Sequence, residues 1–357
     1  MIIRHTLPIL LFLFGLTISS KAQDTLVIAG IGDVMLGTNY PSKKYLPPND
    51  SNMMILAAMD LIKPDVTFAN LEGTILTEGG HAKQCKDPSK CYVFRMPERY
   101  SGYIVECGID AVSLANNHSG DMGTAGRQKT QYWCEMLGIA SAGHLNQPYA
   151  LFTKDSITYG LCAFSPNNGT CRINDYAGAK VILAELDTLC DVIIASFHGG
   201  AEGPKHLHVT RATERYYGEN RGNVYEFAHM LVDHGADVVF GHGPHVVRAV
   251  DIYKERLICY SLGNFCTYAR FNLTGKRGNA PIVEAHIKPT GELIFGKIIS
   301  YLQEGEGGPF PDPENSALKE IKRLTEEDLP EVKITFEENG IFRIQEEEQD
   351  LPVDDNR

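Results

Sequence analysis

The sequence predicts an α/β fold that grades into α+β, and three observations carry the expectation. Apolar, β-branched runs alternate with segments of helical spacing as far as Asp237; beyond it strand follows strand; and the early strands run into residues that ligate metals.

The first strands expected are Leu26–Ile31, Val66–Ala69, Ala111–Leu114, Ile157–Phe164, Val192–Phe197 and Val238–Phe240. Between them, residues 51–62, 98–107, 123–137, 179–189 and 220–234 repeat their apolar side chains at helical spacing. After Asp237 come Val246–Tyr253, Leu257–Ser261, Ile282–Ile287 and Leu293–Tyr301, with a turn at Thr290-Gly291, so this part of the sheet system is antiparallel or mixed. Gly305–Pro313 crowds glycine and proline and reads as a linker to a small appendix. That appendix holds a helix near 315–327, two short strands around Asn339-Gly340 and an acidic end with Glu346, Glu347 and Glu348. The expected organisation is a leader over 1–22, a main domain over 23–303 and an acidic C-terminal appendix over 304–357.

Composition narrows the function classes. The 357 residues are 43% hydrophobic, enough for one large core or two ordinary ones. The formal charge is -12, and residues 304–357 alone hold 17 acidic against 6 basic side chains, which speaks against a basic face for nucleic acid. Arg4, the apolar run Leu7–Ile18 and the small residues before Gln23 form the pattern of a cleaved secretory signal. The run is shorter than the roughly 20 residues of a membrane span. The chain is therefore expected to be exported to the periplasm, cell envelope or exterior, with no transmembrane segment once the leader is removed. Nine cysteines in an exported chain suggest disulfides. Cys85 and Cys91 bracket a polar turn and are expected to pair; Cys162 and Cys171 are a second candidate pair; Cys107 and Cys190 read as small buried hydrophobes. No CxxC occurs, and "GTAGR" (123–127) lacks the lysine and hydroxyl of a P-loop.

The polar residues at the strand ends form the informative pattern. Asp33 follows the first strand, Asn70 and Glu72 the second, Asn116, Asn117 and His118 the third, His198 the fifth, and His242 and His245 the sixth. In α/β folds the C-terminal ends of neighbouring strands face one crevice, so these side chains are expected to converge. Two carboxylates, an amide oxygen and several imidazoles make a mixed N/O set suited to one or two divalent ions of Mn, Zn or Fe. Gly241 and Gly243, on either side of His242, let the backbone turn and a ligand approach closely.

Six motifs, "GDVMLG" (32–37), "ANLEGTI" (69–75), "SLANNHSGDMG" (113–123), "FHGGAE" (197–202), "GADVVFGHGPHVV" (235–247) and "CYSLGNF" (259–265), resemble the CapA/PgsA family of capsule poly-γ-glutamate proteins. That family is similar to the calcineurin-like metallophosphoesterases. The resemblance spans roughly 25 to 300 and implies a four-layer αββα sandwich of two mixed sheets with a metal site at the strand ends. It implies Asp33, Glu72, Asn117, His198, His242 and His245 as metal ligands and His118 as the histidine acting toward the leaving group. Three positions depart from the superfamily pattern. Met35 stands where Asp-x-His has its histidine, Glu72 replaces a bridging aspartate, and the closing pair is His-x-x-His. A first metal position short of one imidazole implies one ion, or two of unequal affinity.

The remaining candidates surround that set. Asp121 either orients His118 or caps the helix beginning at Met122. Arg95, Lys205 and Arg248 are cations able to stabilise charge on an anionic substrate, and Glu202 and Asn264 either touch it or serve turns. His206 and His208 read as ordinary exposed histidines. Two readings stay open. One is an exported metal-dependent hydrolase or transferase acting on a phosphoester or an amide of an acidic polymer, working with capsule-synthesis partner proteins. The other is a non-catalytic protein that binds or assembles an envelope polymer on the same fold.

Overall fold

The computed structural model describes residues 25–345 apart from 86 and 88–90; the expected leader and the tail from Glu346 lie outside the described residues. The chain begins β1 (Leu26–Met35), α1 (Ala58–Ile62), β2 (Val66–Leu71), β3 (Thr74–Ile75), β4 (Arg95–Met96), α2 (Ser101–Glu106), β5 (Ala111–Ser113), α3 (Gly123–Met136) and β6 (Ala140–Ala142). It continues through β7 (Tyr149–Lys154), β8 (Ile157–Phe164), α4 (Tyr176–Leu186), β9 (Val192–His198), β10 (Arg215–Tyr216), β11 (Glu219–Asn220), α5 (Val224–Asp233) and β12 (Val238–His242). The last part holds β13 (Val250–Tyr253), β14 (Arg256–Cys259), β15 (Asn264–Thr267), β16 (Asn279–Ile287), β17 (Leu293–Gln303), β18 (Pro309–Pro311), α6 (Ser316–Asp328), β19 (Ile334–Phe336) and β20 (Ile341–Ile344).

Two mixed sheets carry the fold. The larger runs β19-β20-β17-β16-β1-β2-β5-β6, with β15 parallel to β1 and β18 beside β17; the smaller runs β13-β14-β12-β9-β8-β7. Strands β2, β9 and β12 are buried along their whole length, as continuous apolar runs of central parallel strands should be. Edge strand β7 instead alternates half-buried and exposed residues near its end.

The sheets face each other through a shared core. Ile28, Val66 and Phe68 of the larger meet Leu161, Ile194, Val238 and Phe240 of the smaller, and the Phe68 and Phe240 rings stack at 5.5 Å. The outer surface of the smaller sheet is covered by α4 and α5 through Leu183, Leu186, Phe227 and Leu231. The outer surface of the larger is covered by α1, α2 and α3 through Ala58, Leu61, Ile104 and Cys134. The result is the four-layer αββα arrangement.

The expected appendix is corrected by the structure. Strands β18 and β20 both pair with β17, Phe342 is fully buried in the inter-sheet core with Leu318 and Ile321 of α6, and Leu324 enters the core that α4 and α5 cover. Only part of its acidic composition lies on α6, where Glu320 and Glu327 pair with Arg323, while the inner face follows ordinary helical apolar spacing. Gly305–Pro313 is likewise a turn within the sheet rather than a linker between domains.

Candidate functional site

The C-terminal ends of the parallel strands bring the polar residues together. In β1, Asp33 is level with Asn70 of β2 on one side and Asn264 of β15 on the other. The Asn70 amide donates to both acids, at 2.8 Å to Asp33 Oδ1 and 2.6 Å to Glu72 Oε2. Asn116 donates to Asn70 Oδ1 at 3.1 Å and to the Leu71 carbonyl at 2.9 Å, which fixes that amide's orientation.

The smaller sheet supplies the imidazoles. His198 and His242 are a registered pair at the ends of β9 and β12. His198 Nε2 is 3.6 Å from Glu72 Oε2, and His242 Nδ1 is 3.5 Å from Asp33 Oδ1. His245 takes a left-handed backbone conformation (φ 54°), and its Nδ1 lies 2.8 Å from Asp33 Oδ2 and 3.1 Å from Asn264 Oδ1.

Charge in this cluster is set by burial and by contact between the two halves. Burial alone would raise the Asp33 carboxyl, but the close approach of His242 and the contact with His245 hold it far below the ordinary carboxylate range. Burial and Asp33 push Glu72 upward, and the nearby His198 and His118 outweigh them, leaving it lowered. Burial depresses His242, whereas contact with Asp33 overcomes burial at His245 and carries it up to about 10.

His118 stands at the rim of the cluster. Its Nε2 is 3.9 Å from Glu72 Oε1, and its Nδ1 is 2.7 Å from Asp121 Oδ2. Asp121 also accepts the Phe94 backbone N–H at 2.6 Å and pairs with Lys83 at 2.6 Å. It is therefore the orienting residue for His118; the cap of α3 is Met122, with no side-chain bond.

Several buried polar atoms here have no hydrogen-bond partner. They are Glu72 Oε1, Asn117 Oδ1 and both ring nitrogens of His198 and of His242. Orphaned polar atoms are costly, and their concentration among residues of ligating type fits the needs of a divalent ion. Among the described residues no three His, Cys, Asp or Glu side chains are drawn tightly around one point.

A cleft of about 620 Å³ opens onto this cluster and is lined by Asn117, His118, His245, Asn264 and Glu202. Glu202 is ion-paired with Arg221. Three expected substrate cations are corrected. Arg248 is fully buried, held by Glu214 and by the Ala201 and His206 carbonyls, because it fastens the loop after β9. Arg95 bonds Asn39 at 2.6 Å and the Gly79 carbonyl at 3.1 Å and does not line the cleft, nor does Lys205. His206 supplies only its carbonyl to Arg248, and the exposed His208 pairs with Asp328. Lys83, Phe94, Arg221, Arg270, Phe271 and Arg277 line the cleft without having been singled out. They sit in loops or, for Arg277, a single 3-10 turn, where no periodicity marks them. Cys85 and Cys91 form the expected disulfide, with Cys85 on the cleft wall. Cys162 and Cys171 are corrected to free thiols, both packed into the core under α4, where burial pushes the Cys171 thiol up to about 11.

Comparison with known proteins follows this geometry. The family model described as "Bacterial capsule synthesis protein PGA_cap" matches residues 27–269. The capsule biosynthesis protein CapA of Bacillus anthracis is 25% identical over 321 residues, covering 84% of this chain and 72% of that protein. The PGA biosynthesis protein CapA of Bacillus subtilis is 21% identical over 338 residues, covering 90% and 84% respectively. Among solved structures, a 5'-nucleotidase precursor from Thermus thermophilus superposes with a TM-score of 0.44 at 14% identity, over 88% of this chain and 61% of that one.

Proposed function

The chain belongs to the bacterial capsule synthesis protein PGA_cap family, and on that premise we propose that it is an exported capsule-synthesis protein with a metal-dependent hydrolase or transferase site. The bond acted on is a phosphoester or an amide of an acidic polymer. The observation carrying this reading is the set of unpartnered buried atoms on Glu72, Asn117, His198 and His242 beside the ionised Asp33.

Asp33, Glu72, Asn117, His198, His242 and His245 would hold one or two divalent ions. Such an ion supplies Lewis acidity toward a phosphoryl or carbonyl oxygen. The chain's own residues do the rest. Asp121 accepts the Nδ1 proton of His118 and turns Nε2 toward Glu72 and the cleft, where it can deliver a proton to a leaving group. Lys83 keeps Asp121 in place through its ion pair and by donating to the Asn117 carbonyl at 3.3 Å. Phe94, stacked on His118 at 4.1 Å, shields that imidazole from water. Among the described residues no helix is long and apolar enough to cross a membrane.

One observation favours a second reading, an envelope-polymer binder without turnover. Met35 is buried with its sulfur 3.3 Å from the Gly37 nitrogen, so the first motif offers no imidazole. Elemental analysis of the purified protein, wild type beside His242→Ala and Met35→His, separates the readings. Metal in the wild type that is lost in His242→Ala supports the site. Metal gained only in Met35→His favours the binder, and equal metal in wild type and His242→Ala removes His242 from the ligand set.

A further inference from the structure

A second group of buried polar atoms lacks partners, away from the proposed metal ligands. It comprises Ser119 Oγ, Arg127 Nε and both ring nitrogens of His144. Ser119 and His144 are only 4% and 1% exposed, and Arg127 is half-buried. Among the described residues Arg127 is ion-paired with no carboxylate, although the chain as a whole is acidic.

Three segments meet at this guanidinium. Arg127 lies early in α3 and reaches back over the turn that follows His118, where a Cβ on Gly120, the neighbour of Ser119, would fall 2.5 Å from its Nη2. Its other side rests on the loop after β8. There it donates to the Asn168 carbonyl at 2.7 Å, and a Cβ on Gly169 would fall 2.7 Å from its Cζ. Glycine at both positions, with φ +87° at Gly169, is what lets the charge settle between two backbones. The Gly169 carbonyl accepts the Leu145 N–H at 3.1 Å and Thr170 bridges to His144, so the imidazole is held against the same loop. Burial and the nearby Arg127 charge keep that imidazole neutral, depressed to about 4.

The chemistry of the three groups points one way. A hydroxyl, a guanidinium N–H and a neutral imidazole each offer a donor, and none finds an acceptor. Unmade hydrogen bonds at buried groups are costly, and a buried cation without a counter-charge is costlier. An anion answers both needs, whereas water supplies no charge. A tetrahedral oxyanion would bury more acceptor sites than three donors can satisfy; a monatomic anion imposes no such demand.

We propose that Ser119, Arg127 and His144 form a buried site for a monatomic anion, chloride, that ties the turn after His118 to the loop after β8. Asn167 of that loop donates to Glu219 at 3.1 Å, on the hairpin lining the cleft, so the ion would brace two walls of the cleft from behind. None of the three residues belongs to the proposed metal set, and the inference stands or falls apart from it.

Urea unfolding of the full chain, with sodium chloride replaced stepwise by sodium methanesulfonate at constant ionic strength, tests the site. The wild-type midpoint should rise with chloride to a plateau, with bromide able to substitute, and stay level in methanesulfonate. Ser119→Ala should raise the half-saturating chloride concentration roughly 10-fold, the loss of one charge-assisted hydrogen bond, and Arg127→Gln should abolish the rise. The native wild type should also broaden the chlorine-35 resonance of the buffer, reversibly on adding bromide, more than Arg127→Gln does. Should Arg127→Gln fail to fold, Ser119→Ala decides. A wild type indifferent to chloride would mean that water fills the space and would overturn the proposal. So would a chloride effect unchanged in Ser119→Ala, or phosphate raising the midpoint more than chloride through the same residues.

Discussion

Replacing Arg248 with methionine removes a guanidinium that the sequence offers as a substrate contact and the structure uses as a strut. Its side chain is fully buried and makes four hydrogen bonds: 2.8 and 2.9 Å to the two Glu214 oxygens, 2.9 Å to the His206 carbonyl and 3.2 Å to the Ala201 carbonyl. Glu214 also accepts the Ala201 N–H at 2.8 Å, so the pair closes the loop on which Glu202 reaches the cleft. Methionine fills the volume but leaves Glu214 buried without its counter-ion. Breaking a buried pair this way costs about 3–5 kcal/mol, while replacing both members by apolar residues of similar size is often near neutral. Urea unfolding of wild type, Arg248→Met, Glu214→Leu and the double variant measures this, with the slope held constant as the check that midpoints report stability. Each single change should lower stability by about 3–5 kcal/mol and the double by much less than their sum. A loss below about 0.5 kcal/mol in Arg248→Met, the range of an ordinary surface change, would refute the strut and return Arg248 to the list of available cations.

The native protein should present at most one readily modified thiol, the half-buried Cys190, and all seven free ones after denaturation; a count of five in denaturant would restore a Cys162–Cys171 bridge. His144 is buried, both ring nitrogens lack partners, and burial with the Arg127 charge depresses its imidazole to about 4. The unfolded chain takes up that proton near pH 6.5 and the native one only near 4, so stability should fall by roughly 3 kcal/mol as pH drops through that span. His144→Met should remove this slope in urea unfolding at stepped pH, and an unchanged slope would exonerate His144. Truncation after Gln303 should abolish the cooperative thermal transition, because it removes Phe342 and α6 from the core; a retained transition would make the segment an appendix after all. Gly243 has φ +113°, and a Cβ there would lie 2.7 Å from the Gly199 carbonyl. Gly243→Ala should therefore cost more stability than Gly218→Ala, where φ is +82° and nothing lies within 4 Å, and should lower metal content; equal costs would deny the close approach.

Much of the fold was legible because its central strands are apolar along their length and its helices repeat at helical spacing. The six strands of the first series and the helices from residue 51 to 234 all occur, with shifted ends. Strands β6, β7 and β15 escaped notice, as did the two- and three-residue strands β3, β4, β10, β11 and β18. The first is three residues long, the second an edge, and the third, Asn264–Thr267, reads as a turn after Gly263 because its pairing with β1 is supplied by a strand more than 200 residues away. The cluster of Asp33, Glu72, His118, His198, His242 and His245 was legible for a different reason: each follows a buried strand, and parallel strands share an end. Arg248 was misread for want of Glu214, a loop residue with no pattern around it, and Arg270 and Arg277 were missed because only tertiary contact distinguishes them from solvated charges.

The two halves of the candidate site come from different sheets, and this makes the spacing between them a property of the core. Asp33, Glu72, Asn117 and His118 follow strands of the larger sheet, and His198, His242 and His245 follow strands of the smaller. What sets their separation is the packing directly beneath. Phe68 stacks on Phe240, touches the His242 ring at 5.8 Å, and a Cβ on Gly30 would collide with Phe240 at 2.3 Å. Close-packed interiors relax only partly when volume changes. A methylene added or removed in that layer would therefore move the imidazoles relative to the carboxylates. The proposed ligand set is accordingly no local motif that a loop could carry elsewhere; its residues come together only where these two sheets meet at this distance.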